Sequence, residues 1–74
     1  MEMKEFIEKF AEAVDVDDPT TLTPEMSFRE LEEWNSMAVM MLIAMYEEEF
    51  RKEIFTADIR KCNTIKDLYN LATI

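Results

Sequence analysis

Ser36 stands directly after Asn35 and directly before an unbroken apolar run from Met37 to Tyr46, so its hydroxyl falls at the start of a helix. Asparagine is a good N-cap there, and Trp34 and Val39 occupy the two positions of a hydrophobic staple, which predicts a helix beginning at Ser36. A serine in that first turn lies beside backbone N–H groups that lack helical acceptors and beside the positive end of the helix dipole. An anionic group attached to such a hydroxyl is held by favourable electrostatics. Taken in isolation, the same residues describe an ordinary capped helix start, so the chemistry rests on what surrounds them.

Other reactive types are few. Cys62 is the only cysteine and stands just ahead of the last predicted helix, where it reads as a small buried apolar residue. Asp15, Asp17 and Asp18 crowd one turn, but they lack the glycine and the downstream bidentate glutamate that a calcium loop requires, so calcium should bind there feebly or not at all. Glu47, Glu48 and Glu49 are adjacent carboxylates on a helix with no pocket, a solvated face rather than an acid–base pair. The chain has no glycine, which removes the phosphate loops, dinucleotide turns and nucleophile elbows that depend on it. With no histidine either, the usual neutral-pH general base is missing and Ser36 and Cys62 have no activating partner of that kind. An independent enzyme is not expected.

Composition narrows the partners. Eight Lys and Arg against 17 Asp and Glu give a net charge of -9, which repels nucleic acid and anionic membrane surfaces and draws in proteins with basic patches. No apolar stretch is long enough to span a bilayer, and the N-terminal segment lacks a signal peptide's apolar stretch, so the expectation is a soluble, monomeric, cytoplasmic chain with no membrane insertion. At 74 residues it is read as one domain, 1–74, that must hold itself together by helix packing, since one thiol cannot form an internal disulfide.

The elements that must position Ser36 follow from periodicity. Met3, Phe6, Ile7, Phe10, Ala13 and Val14 fall at helical spacing and predict a first helix that stops near Asp15 to Asp18, ahead of Pro19. A long loop to Asn35 follows, pinned by Leu22, Met26, Phe28, Leu31 and Trp34 and containing a short turn. In the second helix, taking Phe50 as inward places Val39, Leu42, Ile43 and Tyr46 inward. Met37, Met41, Ala44, Met45 and Glu48 then face outward, with Ala38 also on the outer face. Thr56 is predicted to cap a short third helix through Arg60, and Thr64 with Asp67 has capping-box spacing ahead of a fourth. No strand-type alternation persists anywhere. The reading is all-α: a small four-helix bundle with a long loop between helices 1 and 2 and a short third helix.

The order of these elements and the residues from Phe28 through Leu31, Trp34, Asn35 and Ser36 to Met37 resemble the acyl carrier protein family over nearly the whole chain. The family's Asp-Ser-Leu attachment motif appears as Asn35-Ser36-Met37, its acidic helix ending in an aromatic as Glu47-Glu48-Glu49-Phe50, and the start of its last helix as Thr64-Ile65-Lys66-Asp67. The resemblance implies that a phosphopantetheinyl transferase moves 4'-phosphopantetheine from coenzyme A onto Ser36, with Asn35 and Met37 flanking the site. It further implies that the resulting thiol carries an acyl or aminoacyl thioester between a loading ligase and an acyltransferase or synthase. Asn35 keeps the N-cap but lacks the carboxylate that, by resemblance, helps the transferase and its metal ion engage. The loop wording resembles stand-alone carriers of cell-surface polysaccharide or D-alanine pathways more than the general fatty-acid-synthesis carrier, and the large Tyr46 implies a short or polar cargo.

Where family members carry acids soon after the serine, this chain shows a stripe of Met37, Met41 and Met45 above Glu48. Methionine is an adaptable contact residue, so the stripe is read as a partner-docking surface with Glu47 and Glu48 steering the approach. The competing class is an acidic helical interaction module that uses the same surface and never receives the arm.

Overall fold

A computed structural model describes residues 2–73, and among them the regular structure is helical. Helix α1, Met3–Val14, buries Phe6, Ile7, Phe10, Ala11 and Val14, the apolar stripe that its spacing dictates. It ends where Asp15 turns left-handed, with φ 65°, and that residue's N–H closes on the Ala11 carbonyl. In a chain without glycine this position falls to aspartate, one of the residues that tolerates the left-handed region at reduced cost.

The long connection from α1 to α2 is ordered by two short 3-10 turns, Pro19–Thr21 and Phe28–Glu30. Asp18 holds the first turn by accepting the Thr20 amide at 3.0 Å and the Thr20 hydroxyl at 2.6 Å. Leu22 and Phe28 are buried, while Met26, Leu31 and Trp34 pack half-buried against the core, so the predicted anchors all engage. The loop is also tied to the chain's far end. The Ile65 amide donates to the Met26 carbonyl at 3.1 Å, the Lys66 amide to that of Pro24 at 2.8 Å, and Ser27 pairs with Thr64 in an isolated antiparallel bridge. Those contacts satisfy backbone groups at the start of α4 and fix the loop that leads into Ser36.

Helix α2 spans Ser36–Phe50, starting at the predicted residue. The short α3, Thr56–Arg60, begins one residue differently from the reading above: Phe55 is its cap position and Thr56 its first residue. Thr56 is therefore inside the helix, and the carboxylate of Asp58, at the third helical position, does the capping by accepting the Phe55 amide at 2.9 Å. At the other end of α3, Arg29 from the loop donates to the carbonyls of Ile59, Arg60 and Cys62 at 3.2, 2.6 and 2.8 Å. This long-range clamp holds a five-residue helix too short to persist alone.

Helix α4, Ile65–Thr73, carries the expected capping box: the Thr64 amide donates to the Asp67 carboxylate at 3.1 Å and the Asp67 amide to the Thr64 hydroxyl at 3.2 Å. The Asn63 and Thr64 amides together hold the Asp67 carboxyl below its ordinary range, and the Thr20 contacts do the same for Asp18. A depressed native pKa stabilises the fold above the unfolded value of about 4 and ceases to do so as pH falls through the native value. Urea midpoints should therefore fall as pH drops below about 4. Asp67→Asn should be less stable than the parent at neutral pH and lose less on acidification; a parallel pH profile for the two proteins would contradict this assignment.

The core gathers around Phe6, whose ring lies 6.4 Å from Phe10, 6.2 Å from Tyr46, 6.0 Å from Phe50 and 5.7 Å from Tyr69. Three helices thus meet on one side chain. Tyr46 is fully buried and its hydroxyl donates to the Leu68 carbonyl, which joins α2 to α4 and satisfies the phenol; burial pushes its pKa up.

The rotation of α2 departs from expectation. Its buried face runs through Ala38, Leu42, Met45 and Tyr46, so Ala38 and Met45, 4 % and 7 % exposed, point inward rather than outward. Phe50, expected to point inward, is only half-buried. The helix is apolar on nearly every side at its N-terminal half, and periodicity cannot orient such a helix; packing against α1 does.

Candidate functional site

At the mouth of α2 the extended backbone of Asn35 lets its side-chain carbonyl accept the Ala38 amide at 2.9 Å, while its main-chain carbonyl accepts that of Val39 at 3.2 Å. The amides of Ser36 and Met37 precede the first helical bond and have no helical acceptor. Ser36 is exposed, as are Asn35 and Met37, so the sequence-predicted trio is presented together to solvent. The chain's other serine, Ser27, is half-buried and held in the bridge to Thr64, away from any α-helix start.

Behind Ser36 lies a shallow hollow of about 400 Å³ walled by Trp34, Val39, Met40, Ile59, Arg29 and Arg60. The two staple residues thus share one hollow. Trp34 is fixed there by an edge-on contact with buried Phe28, ring centroids 4.7 Å apart. Arg29 lies with its guanidinium 5.6 Å over the Phe28 ring while it clamps α3. No carboxylate lines this hollow, which is unusual on a chain of net charge -9. The opposite flank of the helix start is different: the hollow there is lined by Glu12, Asp15 and Glu33.

These features fit a covalent phosphodiester on the Ser36 hydroxyl. The oxygen is accessible, free amides and the helix dipole favour negative charge, and the two arginines stand on the side where an anionic tether meets no repulsion. The hollow offers an apolar floor for the uncharged part of such a tether.

The predicted docking residues do not form one stripe. Met37 and Met41 are 64 % and 47 % exposed on the α1 flank, and Met45 is withdrawn into the core beside α1. Met40, 67 % exposed, is a surface methionine that the sequence wheel missed; it stands on the opposite flank, by the Ser36 hollow. Its signal was present, since it follows Ser36 by one helical turn. Glu47 and Glu48 are exposed but lie roughly 17–18 Å along the helix from Ser36. Glu49 instead pairs with Lys9 of α1 at 2.6 Å.

The remaining chemistry is quiet. Cys62 is buried, its thiol donates to the Asp58 carbonyl at 3.5 Å, and burial pushes its pKa up, so it is a packing residue and a poor nucleophile. Asp15, Asp17 and Asp18 do not assemble: among the described residues no group of three or more potential ligands is placed to hold a metal ion. No helix among them is long and apolar enough to cross a membrane.

No curated protein and no solved structure matches the chain significantly. A family model does: the exposed serine at a capped helix start, the bundle around it and the sequence agree with the phosphopantetheine attachment site, matched over residues 4–72, and the chain belongs to that family, whose members carry 4'-phosphopantetheine covalently on a serine.

Proposed function

We propose that this chain is an acyl carrier protein that receives its arm on Ser36 and presents an acyl or aminoacyl thioester to partner enzymes. The observation that carries the reading is the exposed Ser36 hydroxyl in the first turn of α2, flanked by free amides and an acid-free hollow. When bound, the arm supplies a thiol on which cargo travels. The protein's own contribution is to orient that tether and to stay out of the chemistry: Asn35 fixes the helix start, Trp34 and Val39 wall the hollow, and Arg29 and Arg60 offset the diester's charge. A phosphopantetheinyl transferase is the first partner, and a loading ligase and an acyltransferase or synthase are the later ones. A reducing, cytoplasmic setting and a monomeric state complete the proposal; the single buried thiol and the net charge of -9 support them.

Thiol counting tests the carrier reading without knowledge of the cargo. Unmodified protein under native conditions should react slowly with a disulfide reagent, because Cys62 is buried. After treatment with coenzyme A and a broad-specificity transferase, one fast thiol per chain should appear. Supplying acetyl-coenzyme A instead should leave that thiol masked until hydroxylamine releases it. No fast thiol after treatment contradicts the reading and favours the unmodified interaction module, whereas a fast thiol on the unmodified protein would contradict only the burial of Cys62.

A further inference from the structure

Phe55 occupies the cap position of α3 and is 62 % exposed. The chain's other phenylalanines, Phe6, Phe10, Phe28 and Phe50, each contact another ring, whereas Phe55 makes no ring contact among the described residues. Its side chain does not cap the helix either. Asp58 does that by accepting the Phe55 amide, a main-chain donor that any residue but proline would supply. Internal packing therefore gives no reason for an aromatic ring here, and its apolar surface is left in water. Met40, almost equally exposed, stands near by: it and Thr56, the residue after Phe55, line one hollow.

The charge around this ring is opposite in sign to that of the rest of the chain. From Arg51 to Lys61 the cations are Arg51, Lys52, Arg60 and Lys61 and the acids only Glu53 and Asp58, so half of the eight cations fall in this short segment and make it net positive on a chain of net charge -9. Thr56 and Arg60, one turn apart, face the Ser36 hollow, while Asp58 is not in its lining and turns its carboxylate back onto the Phe55 amide. On α2, Glu47 follows Met40 only two turns later, about 10 Å along the helix. Arg60 and Lys61 are exposed, and their charged ends make no hydrogen bond or ion pair among the described residues. A ring and a methionine bordered by unengaged cations are complementary to an apolar side chain bordered by carboxylates.

We propose that the α3 face docks an acidic surface of a partner protein. One apolar side chain of the partner lies against Phe55 and Met40, and carboxylates beside it meet Arg60 and Lys61. The sign is the point: the chain as a whole attracts basic proteins, yet a partner bound at α3 is acidic where it touches. A bilayer is a poorer occupant, because an anionic surface repels the rest of the chain and a five-residue helix is too short to lie along the interface. A second copy would bring net charge -9 against -9. The face borders the hollow behind Ser36, so a docked partner has the attachment site within reach. That the partner is an enzyme acting on the arm rests on the carrier reading, whereas the docking itself does not require Ser36 to be modified.

The test uses unmodified, isotope-labelled protein and a short synthetic helix with leucine along one face and glutamate along the other. Saturable amide shifts should be confined to the neighbourhood of Met40, Phe55, Ile59 and Arg60, and the same helix with lysine in place of glutamate should leave those amides unshifted. Binding should weaken by about tenfold for Phe55→Ser, and by a similar factor for Arg60→Gln combined with Lys61→Gln. Phe55→Leu, which keeps an apolar contact, should bind nearly as the parent does. Lys4→Gln combined with Lys66→Gln, the same charge change at exposed positions outside α3, should leave the affinity as it is. No saturable shift with the glutamate helix, indifference to Phe55→Ser, or an equal loss in the Lys4 and Lys66 variant would overturn the proposal. So would co-sedimentation of the parent, but not of Phe55→Ser, with phosphatidylglycerol vesicles, which would assign the face to a membrane. None of these outcomes bears on whether Ser36 takes the arm.

Discussion

Ser36→Ala should take up no phosphopantetheine from coenzyme A under conditions in which the parent and Ser27→Ala each gain one arm. The effect is all-or-none because the substitution deletes the nucleophilic oxygen and leaves everything else in place. Ser36 is exposed, its side chain makes no hydrogen bond among the described residues, and Asn35 does the capping, so Ser36→Ala should retain the parent's helicity and urea midpoint to within about 0.5 kcal/mol. Ser27 is the sensitive comparison. It is the only other serine, yet it is half-buried in the bridge that ties the loop to α4 rather than presented at the start of an α-helix. Intact mass reads all three proteins. An arm on Ser36→Ala, or none on Ser27→Ala while it remains folded, would contradict the assignment.

Phe6→Ala should leave little folded protein. Removing a fully buried phenylalanine typically costs about 3–5 kcal/mol. A core of this size rarely supplies more than about 3–5 kcal/mol in total, so the loss is comparable to the whole stability of the domain. Nothing can readily collapse into the vacancy, since four rings from α1, α2 and α4 are positioned by contact with this one. Far-ultraviolet circular dichroism at 25 °C should show most of the helix signal gone, whereas Met40→Ala at a 67 % exposed site should change the urea midpoint by under about 0.5 kcal/mol. A cooperatively folded Phe6→Ala protein close to the parent in stability would mean that the core is not organised around this ring.

Much of the architecture was legible from local rules because local chemistry decides it. The apolar spacing of Met3 to Val14, the Asn35 cap and the Thr64 and Asp67 box each fix a helix boundary through groups within a few residues of one another, and each appears where the sequence places it. The loop anchors were readable too, since large apolar residues in a polar stretch must bury somewhere. What was not readable depends on neighbours distant in sequence. Arg29 is indistinguishable from any surface arginine until α3 folds back to offer its carbonyls, some thirty residues later.

The misread rotation of α2 has the same origin. Apolar residues cover so much of its surface that the choice between burying Met45 and burying Phe50 falls to α1, less than one residue's step of about 100° separating the two solutions. Function follows from that small turn. It withdraws Met45, divides Met37 and Met41 from Met40, and leaves the two flanks of Ser36 with opposite character: arginines and no acids on one, acids on the other.

Peptide-level localisation of the arm tests the central assignment most directly. Parent protein, loaded by a broad-specificity transferase with coenzyme A and digested, should yield a single modified peptide whose fragmentation places the arm on Ser36. Fragments that place it on Ser27, or a digest in which the Ser36 peptide stays unmodified while a known carrier in the same reaction is fully loaded, would contradict it.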